Sequence, residues 1–343
     1  MDLIDYIFTD SNLCNVISII GIAKNSGKTT TLNHLINHFV DDIKLGLTSI
    51  GRDGEKYDII TKLPKPQISI RKGVIFATAE KAIDKSSIKF ELIEKTAFNT
   101  PMGLIIIGKA LDDGYIELAG PSINHQLKEL CENLKKLGCN IILIDGAFDR
   151  KAYATPLISD GVILSSGASY SDNINDVIEE TIHIVNIFNI SEEKNPRIRS
   201  IIEKNFKNMK VGLLNKSFQL THIKVPTLLG LEKKVLENID EDTKYLIING
   251  ALTDKLLGEI IKKRFRIKDL TILIEDPTKL LASSAILLDF LKTKNTIKVL
   301  NPIELLAITI NPTSPFGYEF EPTEFMRKLK KRIDIPIFNL NKN

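Results

Sequence analysis

Apolar runs rich in valine, isoleucine and leucine alternate along this chain with longer amphipathic stretches. Such alternation is typical of β-α units, in which helices cover both faces of a parallel sheet. The first half is predicted to form strands over residues 15–21, 45–50, 73–77, 104–110, 140–144 and 161–165, and helices over 28–39, 123–137 and 173–188. Because residues 140–144 are apolar without interruption, we expect that strand to lie in the centre of the sheet.

The second half repeats the alternation after a polar, basic stretch at residues 195–210. Its predicted strands cover residues 210–214, 245–249, 270–274, 297–300 and 305–310. A chain of 343 residues is long enough for about two domains. The predicted fold class is therefore α/β, with a mostly parallel, helix-covered sheet in residues 1–194 and a smaller α/β domain in 195–343.

A short segment of the second half resembles one of the first. Residues 245–254 follow the pattern of residues 141–149, and Asn249 stands where the first copy has Asp145. One interpretation is that residues 195–343 are a degenerate repeat that lost an acidic ligand, and another is that they form a partner-binding domain. Two short β-turn-α segments can also look alike by chance.

The clearest chemical motif is the 21–30 segment, which reads Gly-Ile-Ala-Lys-Asn-Ser-Gly-Lys-Thr-Thr between a predicted strand and a predicted helix. A phosphate-binding loop needs glycine for a tight turn, inward backbone N–H groups, a lysine for the β- and γ-phosphates and a hydroxyl for Mg²⁺. The following helix points its positive end at the phosphates. The predicted nucleotide-binding residues are Gly21, Ala23, Lys24, Asn25, Ser26, Gly27, Lys28, Thr29 and Thr30.

The spacing inside this segment departs from the common pattern. Five residues separate Gly21 from Gly27, whereas the usual number is four. This longer form, with an extra lysine at Lys24, resembles the loops of dethiobiotin synthetase and its relatives, in the class that includes MinD-like ATPases and metallochaperone GTPases. In the MinD-type loop the signature lysine lies one residue further upstream, so we assign Lys24 no catalytic role across a dimer.

Two acidic residues are candidates for orienting Mg²⁺ or its water. Asp145 ends an apolar strand and precedes Gly146, which places it at the carboxyl edge of the sheet, where open α/β folds bind ligands. Asp53 follows the second strand and should reach the same edge. We predict Lys28, Asp145 and Asp53 as catalytic residues and Thr29, Asp53 and Asp145 as metal ligands. The alternatives are a turn at Asp145 and an ordinary loop at Asp53.

Several other polar residues carry weaker signals. The guanidinium groups of Arg52 and Arg150 could neutralise phosphate charge, and Glu117 is a further acidic candidate. His34 and His38 lie four residues apart on the predicted helix, but we see no third ligand and expect a solvated or packed pair.

Composition and charge narrow the function classes. With 43% hydrophobic and 26% charged residues the chain resembles globular proteins, and its net charge of +3 comes with no basic stripe, so we expect no nucleic-acid partner. Acidic residues near the start and the lack of an apolar run of about 18 residues predict a cytoplasmic protein with no membrane partner. The three cysteines share no metal-site spacing and are expected to be ordinary buried thiols.

Taken together, the 21–30 segment and residues 45–55, 116–122 and 143–147 resemble the ATP-binding reactivase subunit that accompanies lysine 5,6-aminomutase. Residues 308–318 and 334–338 fit that family as well, so the resemblance spans nearly the whole chain. It implies a protein that binds ATP and Mg²⁺ and, with a second, MutS-like subunit, releases damaged cobalamin from an adenosylcobalamin-dependent aminomutase. The chain lacks the Asp-x-His-x-x-Gly motif of base-off cobalamin binding, so we do not expect it to hold cobalamin.

Two other functions stay open at this point. One is an ATP-dependent ligase like dethiobiotin synthetase, and the other is a non-catalytic, nucleotide-sensing binding module. The lack of an Asn-Lys-x-Asp motif is weak support for adenine over guanine.

Overall fold

A computed structural model describes residues 2–9, 15–38, 43–53, 67–146, 158–206, 208–225, 230–263 and 267–340. The chain divides into two compact units. The first consists of Met1–Ile184 and Glu304–Asn343, and the second is Val185–Ile303. The second unit is therefore inserted into the sequence of the first.

Each predicted strand and helix has a counterpart in the structure, which also contains elements that the hydrophobic pattern does not predict. In chain order they are α1 (Leu3–Thr9), β1 (Val16–Gly21), α2 (Lys28–His38), β2 (Leu45–Ser49), β3 (Arg52–Asp53), β4 (Ile68–Ile70), β5 (Ile75–Ala79), α3 (Glu80–Ile83), β6 (Phe90–Thr100), β7 (Gly103–Ala110), β8 (Gly114–Ile116), β9 (Leu118–Ala119), α4 (Asn124–Lys136), β10 (Ile141–Asp145), β11 (Gly161–Gly167), α5 (Ile174–Phe188), α6 (Pro196–Phe206), β12 (Val211–Asn215), β13 (Leu220–Ile223), α7 (Glu232–Glu237), β14 (Thr243–Ile248), β15 (Leu252–Thr253), α8 (Asp254–Lys262), β16 (Thr271–Ile274), β17 (Leu280–Leu281), α9 (Ser284–Leu291), β18 (Thr296–Val299), β19 (Glu304–Asn311), α10 (Pro322–Lys330) and β20 (Ile337–Asn339).

The first unit is built on a nine-stranded sheet with the order β20-β19-β11-β1-β10-β2-β5-β7-β6. Every neighbouring pair from β20 to β5 is parallel, and β7 and β6 are added antiparallel at one edge. The strand β10 lies in the middle and all five of its residues are buried. This position confirms the prediction of a central strand, because a strand covered on both faces has to be apolar on both.

Successive residues of β10 pack into two different cores. Leu143 belongs to the cluster that contains Leu32 and Leu35 of α2, whereas Ile142 and Ile144 belong to the cluster that contains four residues of α4. Side chains in a strand alternate between the two faces of the sheet. The helices α2 and α4 therefore cover opposite faces, as a mostly parallel sheet requires.

The second unit has its own five-stranded sheet with the order β13-β12-β14-β16-β18. The strands β14, β16 and β18 are parallel, and the β12–β13 hairpin joins them antiparallel to β14. One face of this sheet packs against α7, α8 and α9, and the other packs against α6. The whole chain is thus α/β, with two separately built sheets.

The division of the chain differs from the predicted one at its C-terminal end. We predicted a second domain over 195–343, but residues 304–343 belong to the first unit, and β19 pairs in parallel with β11. The apolar run at 305–310 correctly predicted a strand. It could not predict which sheet that strand joins, because hydrophobic periodicity reports burial and not strand order.

Only one strand of the β6–β7 hairpin was predicted from the sequence. Its second strand was predicted, but β6 was not, because residues 91–95 are exposed and lack the alternating pattern of a half-buried strand. Within the described part of the chain no helix is both long and apolar enough to cross a membrane.

Candidate functional site

The 21–30 segment forms the predicted strand–loop–helix connection. Gly21 ends β1, and Lys28, Thr29 and Thr30 form the first turn of α2. Asn25 and Gly27 have φ angles of 59° and 104°, which lie in the left-handed region. Glycine adopts this region without steric cost, so the sequence Asn-Ser-Gly suits the tight turn that the backbone makes here.

Glycine at position 21 lets the loop close over its own beginning. A Cβ atom added to Gly21 would lie 2.1 Å from Ser26 Oγ and 3.0 Å from Lys28 Cγ. The Lys28 side chain therefore lies across the end of β1. Ser26 is fully buried, and within the described residues its hydroxyl oxygen has no hydrogen-bond partner. Buried polar groups nearly always have one, so the Ser26 hydroxyl is available to a further polar partner.

Residues at the ends of β11 and β19 hold the loop. The Ile22 N–H donates to the Ser165 carbonyl at 3.1 Å, and the Ser169 hydroxyl donates to the Lys24 carbonyl at 2.7 Å. From β19, the Asn311 amide donates to the carbonyl of Asn25 at 3.4 Å. Two parts of the chain far apart in sequence thus fix the backbone of the 21–30 segment.

Sequence reasoning did not connect Ser169 and Asn311 with the loop. Asn311 lies in the 308–318 segment, which supported the family resemblance, and a Cβ atom added to Gly27 would lie 2.9 Å from Asn311 Cβ. The contact between Gly27 and Asn311 arises from the pairing of β19 with β11, so no local pattern in the sequence could reveal it.

Asp145 lies at the carboxyl edge of the nine-stranded sheet, as predicted. It is the last residue of β10, is only 1% exposed, and has Ile19 of β1 and Ser49 of β2 as its register partners. The neighbouring backbone is fixed by hydrogen bonds from the Ile50 N–H to the Asp145 carbonyl and from the Gly146 N–H to the Ile19 carbonyl. The acid therefore ends the strand that lies between the loop-bearing β1 and β2.

Asp53 belongs to the two-residue strand β3, which pairs antiparallel with β9. Its register partner is Leu118, so the pairing joins two of the segments that we selected from the sequence, residues 45–55 and 116–122. The side chains of Arg52 and Asp53 are outside the described part of the chain, as are residues 54–66 and 147–157. The predictions for the Asp53 carboxylate and for Arg150 accordingly stay predictions.

A close backbone approach makes the β3–β9 pairing possible. The Gly120 N–H donates to the Gly51 carbonyl at 2.8 Å and to the Ser49 hydroxyl at 3.1 Å. A Cβ atom on Gly120 would lie 1.8 Å from the Ser49 carbonyl oxygen, so only glycine fits at this position. Glu117, three residues earlier, is 6% exposed, with an oxygen 4.0 Å from the Lys85 ammonium nitrogen. This acid is adjacent in sequence to the partner of Asp53.

The two histidines of α2 contact each other. Their ring centroids are 4.3 Å apart, and His38 Nδ1 lies 2.7 Å from the His34 carbonyl oxygen, with which it can form a hydrogen bond. Burial lowers the pKa of His34 and the neighbouring His38 lowers it further. In the described residues no group of three or more His, Cys, Asp or Glu side chains is arranged to hold a metal ion.

The cysteines that the structure describes are small buried side chains, as predicted. Burial raises the pKa of the Cys131 thiol to about 12 and that of Cys139 to about 11, so both stay protonated and unreactive at neutral pH. Cys14 lies outside the described residues.

Comparisons with protein-family models, with curated proteins and with solved structures found no match to this chain. The fold and the site themselves define its class. It is an α/β protein in which a tight, glycine-containing loop joins a buried strand to a helix at the carboxyl edge of a large, mostly parallel sheet.

Proposed function

We propose that the 21–30 segment binds the phosphates of ATP with Mg²⁺. The observation that carries this proposal is the shape of the loop, which closes over Gly21 with Lys28 across it and Ser26 Oγ buried without a partner among the described residues. Curled backbone, lysine and hydroxyls are the parts that a phosphate-binding loop needs.

Each part of the loop has a role in this proposal. Lys28 supplies positive charge for the β- and γ-phosphates, and the hydroxyl of Thr29 is a ligand for Mg²⁺. The N-terminus of α2, an eleven-residue helix, adds the partial positive charge of its first N–H groups. Bound Mg²⁺ would neutralise charge that develops on the phosphates.

Asp145 is the acid that we propose to orient Mg²⁺ or its water. It ends the strand next to β1 at the edge where the loop lies. Asp53 is proposed as a second metal ligand, since β3 follows β2, whose last residue, Ser49, is the register partner of Asp145. Protein-bound Mg²⁺ usually takes one or two carboxylates together with substrate phosphates.

We further propose that the protein is the ATP-dependent, cytoplasmic reactivating subunit for an adenosylcobalamin-dependent lysine 5,6-aminomutase. The resemblance of the sequence to that family is the basis of this proposal. What supports it is that segments carrying the resemblance come together in the fold. Arg52 and Asp53 of the 45–55 segment pair with Ala119 and Leu118 of the 116–122 segment. Asn311 of the 308–318 segment contacts the 21–30 segment.

The proposed mechanism is a population shift. Nucleotide can change the conformation of a protein only by binding one state more tightly than another, and that state must in turn favour an aminomutase conformation that releases damaged cobalamin. A MutS-like second subunit would take part in this step. The chain itself contributes the nucleotide site and its response to ATP.

A reactivation assay tests the function. Lysine 5,6-aminomutase that has been inactivated by turnover and holds damaged cobalamin is incubated with this chain, the MutS-like subunit, Mg²⁺, fresh adenosylcobalamin and either ATP or GTP. We expect activity to return with ATP, and the matched Lys28→Ala chain to give none. Absence of recovery with a wild-type chain that hydrolyses ATP would contradict the reactivase proposal. ADP release that depends on a small carboxylate substrate would indicate a ligase instead.

A further inference from the structure

Three buried hydroxyl groups meet behind the 21–30 segment. Thr31 Oγ1 on α2 lies 2.7 Å from Thr309 Oγ1 on β19 and 3.1 Å from Ser165 Oγ on β11, and the Thr309 hydroxyl lies 3.1 Å from Ser165 Oγ. The exposed fractions are 1% for Thr31, 0% for Ser165 and 2% for Thr309. We call these three residues the hydroxyl ring.

The ring can satisfy its own hydrogen bonds. Each hydroxyl has one proton to donate and can accept in return, so three hydroxyls in mutual contact can donate in a cycle. Ser165 and Thr309 are register partners in the parallel pair of β11 and β19, which places their side chains on the same face of the sheet. Thr31 closes the cycle from the helix that packs on this face.

The ring lies one helical turn from the loop. The Thr31 N–H donates to the carbonyl of Gly27 at 2.9 Å, so the residue that enters the ring also closes the first turn of α2. Thr309 is followed two residues later by Asn311, which contacts Gly27 and donates to the Asn25 carbonyl. Two residues of β19 on the same face of the strand therefore contact this region: Thr309 contacts α2 through Thr31, and Asn311 contacts the 21–30 segment.

We propose that Thr31, Ser165 and Thr309 are positioning residues for the nucleotide phosphates, an inference that rests on the proposed ATP-binding function. By fixing the first turn of α2 against β11 and β19, the ring sets where Lys28 and Thr29 begin the helix. Nucleotide affinity then depends on hydroxyls that do not touch the nucleotide. The strand β19 follows the inserted second unit directly in the chain. The part of the first unit after Ile303 therefore supplies Thr309 to the proposed site.

Substitution of Thr309 provides the test. Valine keeps the shape of threonine and removes the hydroxyl, whereas serine keeps the hydroxyl and removes the methyl group. We expect Thr309→Val to weaken Mg-ATP binding about tenfold, since two buried hydroxyls lose a partner and α2 shifts to satisfy them. Thr309→Ser should restore affinity to within about twofold of wild type. Isothermal titration calorimetry with Mg-ATP on the full chain measures both values.

The chain offers a matched control on the opposite face of β11. Ser166 follows Ser165 in the strand, so its side chain points the other way, and its hydroxyl lies 2.6 Å from Thr181 Oγ1 on α5. Both residues are fully buried. Thr181→Val should lower the unfolding temperature by an amount similar to Thr309→Val and change Mg-ATP affinity by less than about twofold, because this pair does not hold α2.

The outcomes separate the two proposals. Wild-type protein that binds no Mg-ATP would overturn the proposed function and the positioning role together. Wild-type binding with equal affinities for Thr309→Val and Thr181→Val would overturn the positioning role alone. If Thr309→Val does not fold, Ser165→Ala removes another member of the same ring, and unchanged affinity in that variant would refute the inference.

Discussion

Lys28 carries the most direct prediction at the scale of single residues. Its side chain lies across Gly21 at the end of β1, where the proposed phosphates bind. Replacement by alanine removes the main charged partner of the terminal phosphates, and hydrogen bonds to charged groups are among the strongest in proteins. We expect Lys28→Ala to weaken ATP binding at least about 100-fold, or roughly 2.7 kcal/mol, measured by titration with Mg-ATP.

Lys24 is the matched control for Lys28 in the same loop. Its side chain is exposed, and the contact that fixes this residue uses its backbone carbonyl, which accepts from Ser169. Lys24 is among the predicted nucleotide-binding residues, and we expect it to contribute through its backbone. Lys24→Ala keeps that backbone, so ATP affinity should change by no more than about threefold. Equal loss of affinity in the two variants would show that Lys28 is not the specific phosphate ligand.

At the scale of secondary-structure elements, the last residue of β11, Gly167, packs so closely against the 21–30 segment that it leaves no room for a side chain. Gly167 has an extended backbone, with φ −143° and ψ 152°, which alanine adopts readily. A Cβ atom there would nevertheless lie 2.6 Å from Ser26 Cα and from the Ser26 carbonyl oxygen. We expect Gly167→Ala to lower the free energy of unfolding by about 2 kcal/mol in urea denaturation and to weaken ATP binding, because the loop must move.

Gly258, in the middle of α8, differs from Gly167 because it has room for a side chain. A Cβ atom at this position would meet no atom within 4 Å, and glycine in a helix interior is less stable than alanine. Gly258→Ala should therefore raise the free energy of unfolding by about 0.5–1 kcal/mol. Destabilisation by Gly258→Ala would contradict this prediction.

At the scale of the whole molecule, the described hydrophobic clusters each lie within one unit. The first unit holds the clusters around β1 and β10, and the second holds those around β14 and β16. We predict two thermal transitions in differential scanning calorimetry. Mg-ATP at about 100 times its Kd should stabilise the unit that binds it by about 2.7 kcal/mol, which raises that transition by roughly 5–10 °C.

The same scan with Lys28→Ala should show two transitions that ATP moves by no more than about 2 °C. A shift of both wild-type transitions by the same amount would contradict ATP binding to the first unit alone. The calorimetric experiment thus reports on the fold and on the location of the site at once.

The local parts of the site could be predicted from the sequence. The strand before Gly21, the helix from Lys28 and the acid at the end of β10 were recognised because each depends on neighbouring residues: hydrophobic periodicity, the glycine-lysine-threonine spacing and an acid after an apolar run. These patterns extend over a few turns of helix or one strand, a range in which sequence and local structure are closely linked.

Tertiary structure alone decided which distant segments meet. The return of residues 304–343 to the first sheet, the pairing of β3 with β9 and the hydroxyl ring all join residues far apart in the chain. An apolar run such as 305–310 buries the same surface in either sheet, so its pattern leaves the strand order open. The sequence by itself therefore determined the loop with its flanking strand and helix, and the fold determined the residues that hold the loop, since strand pairing is selected by the packing of the whole sheet.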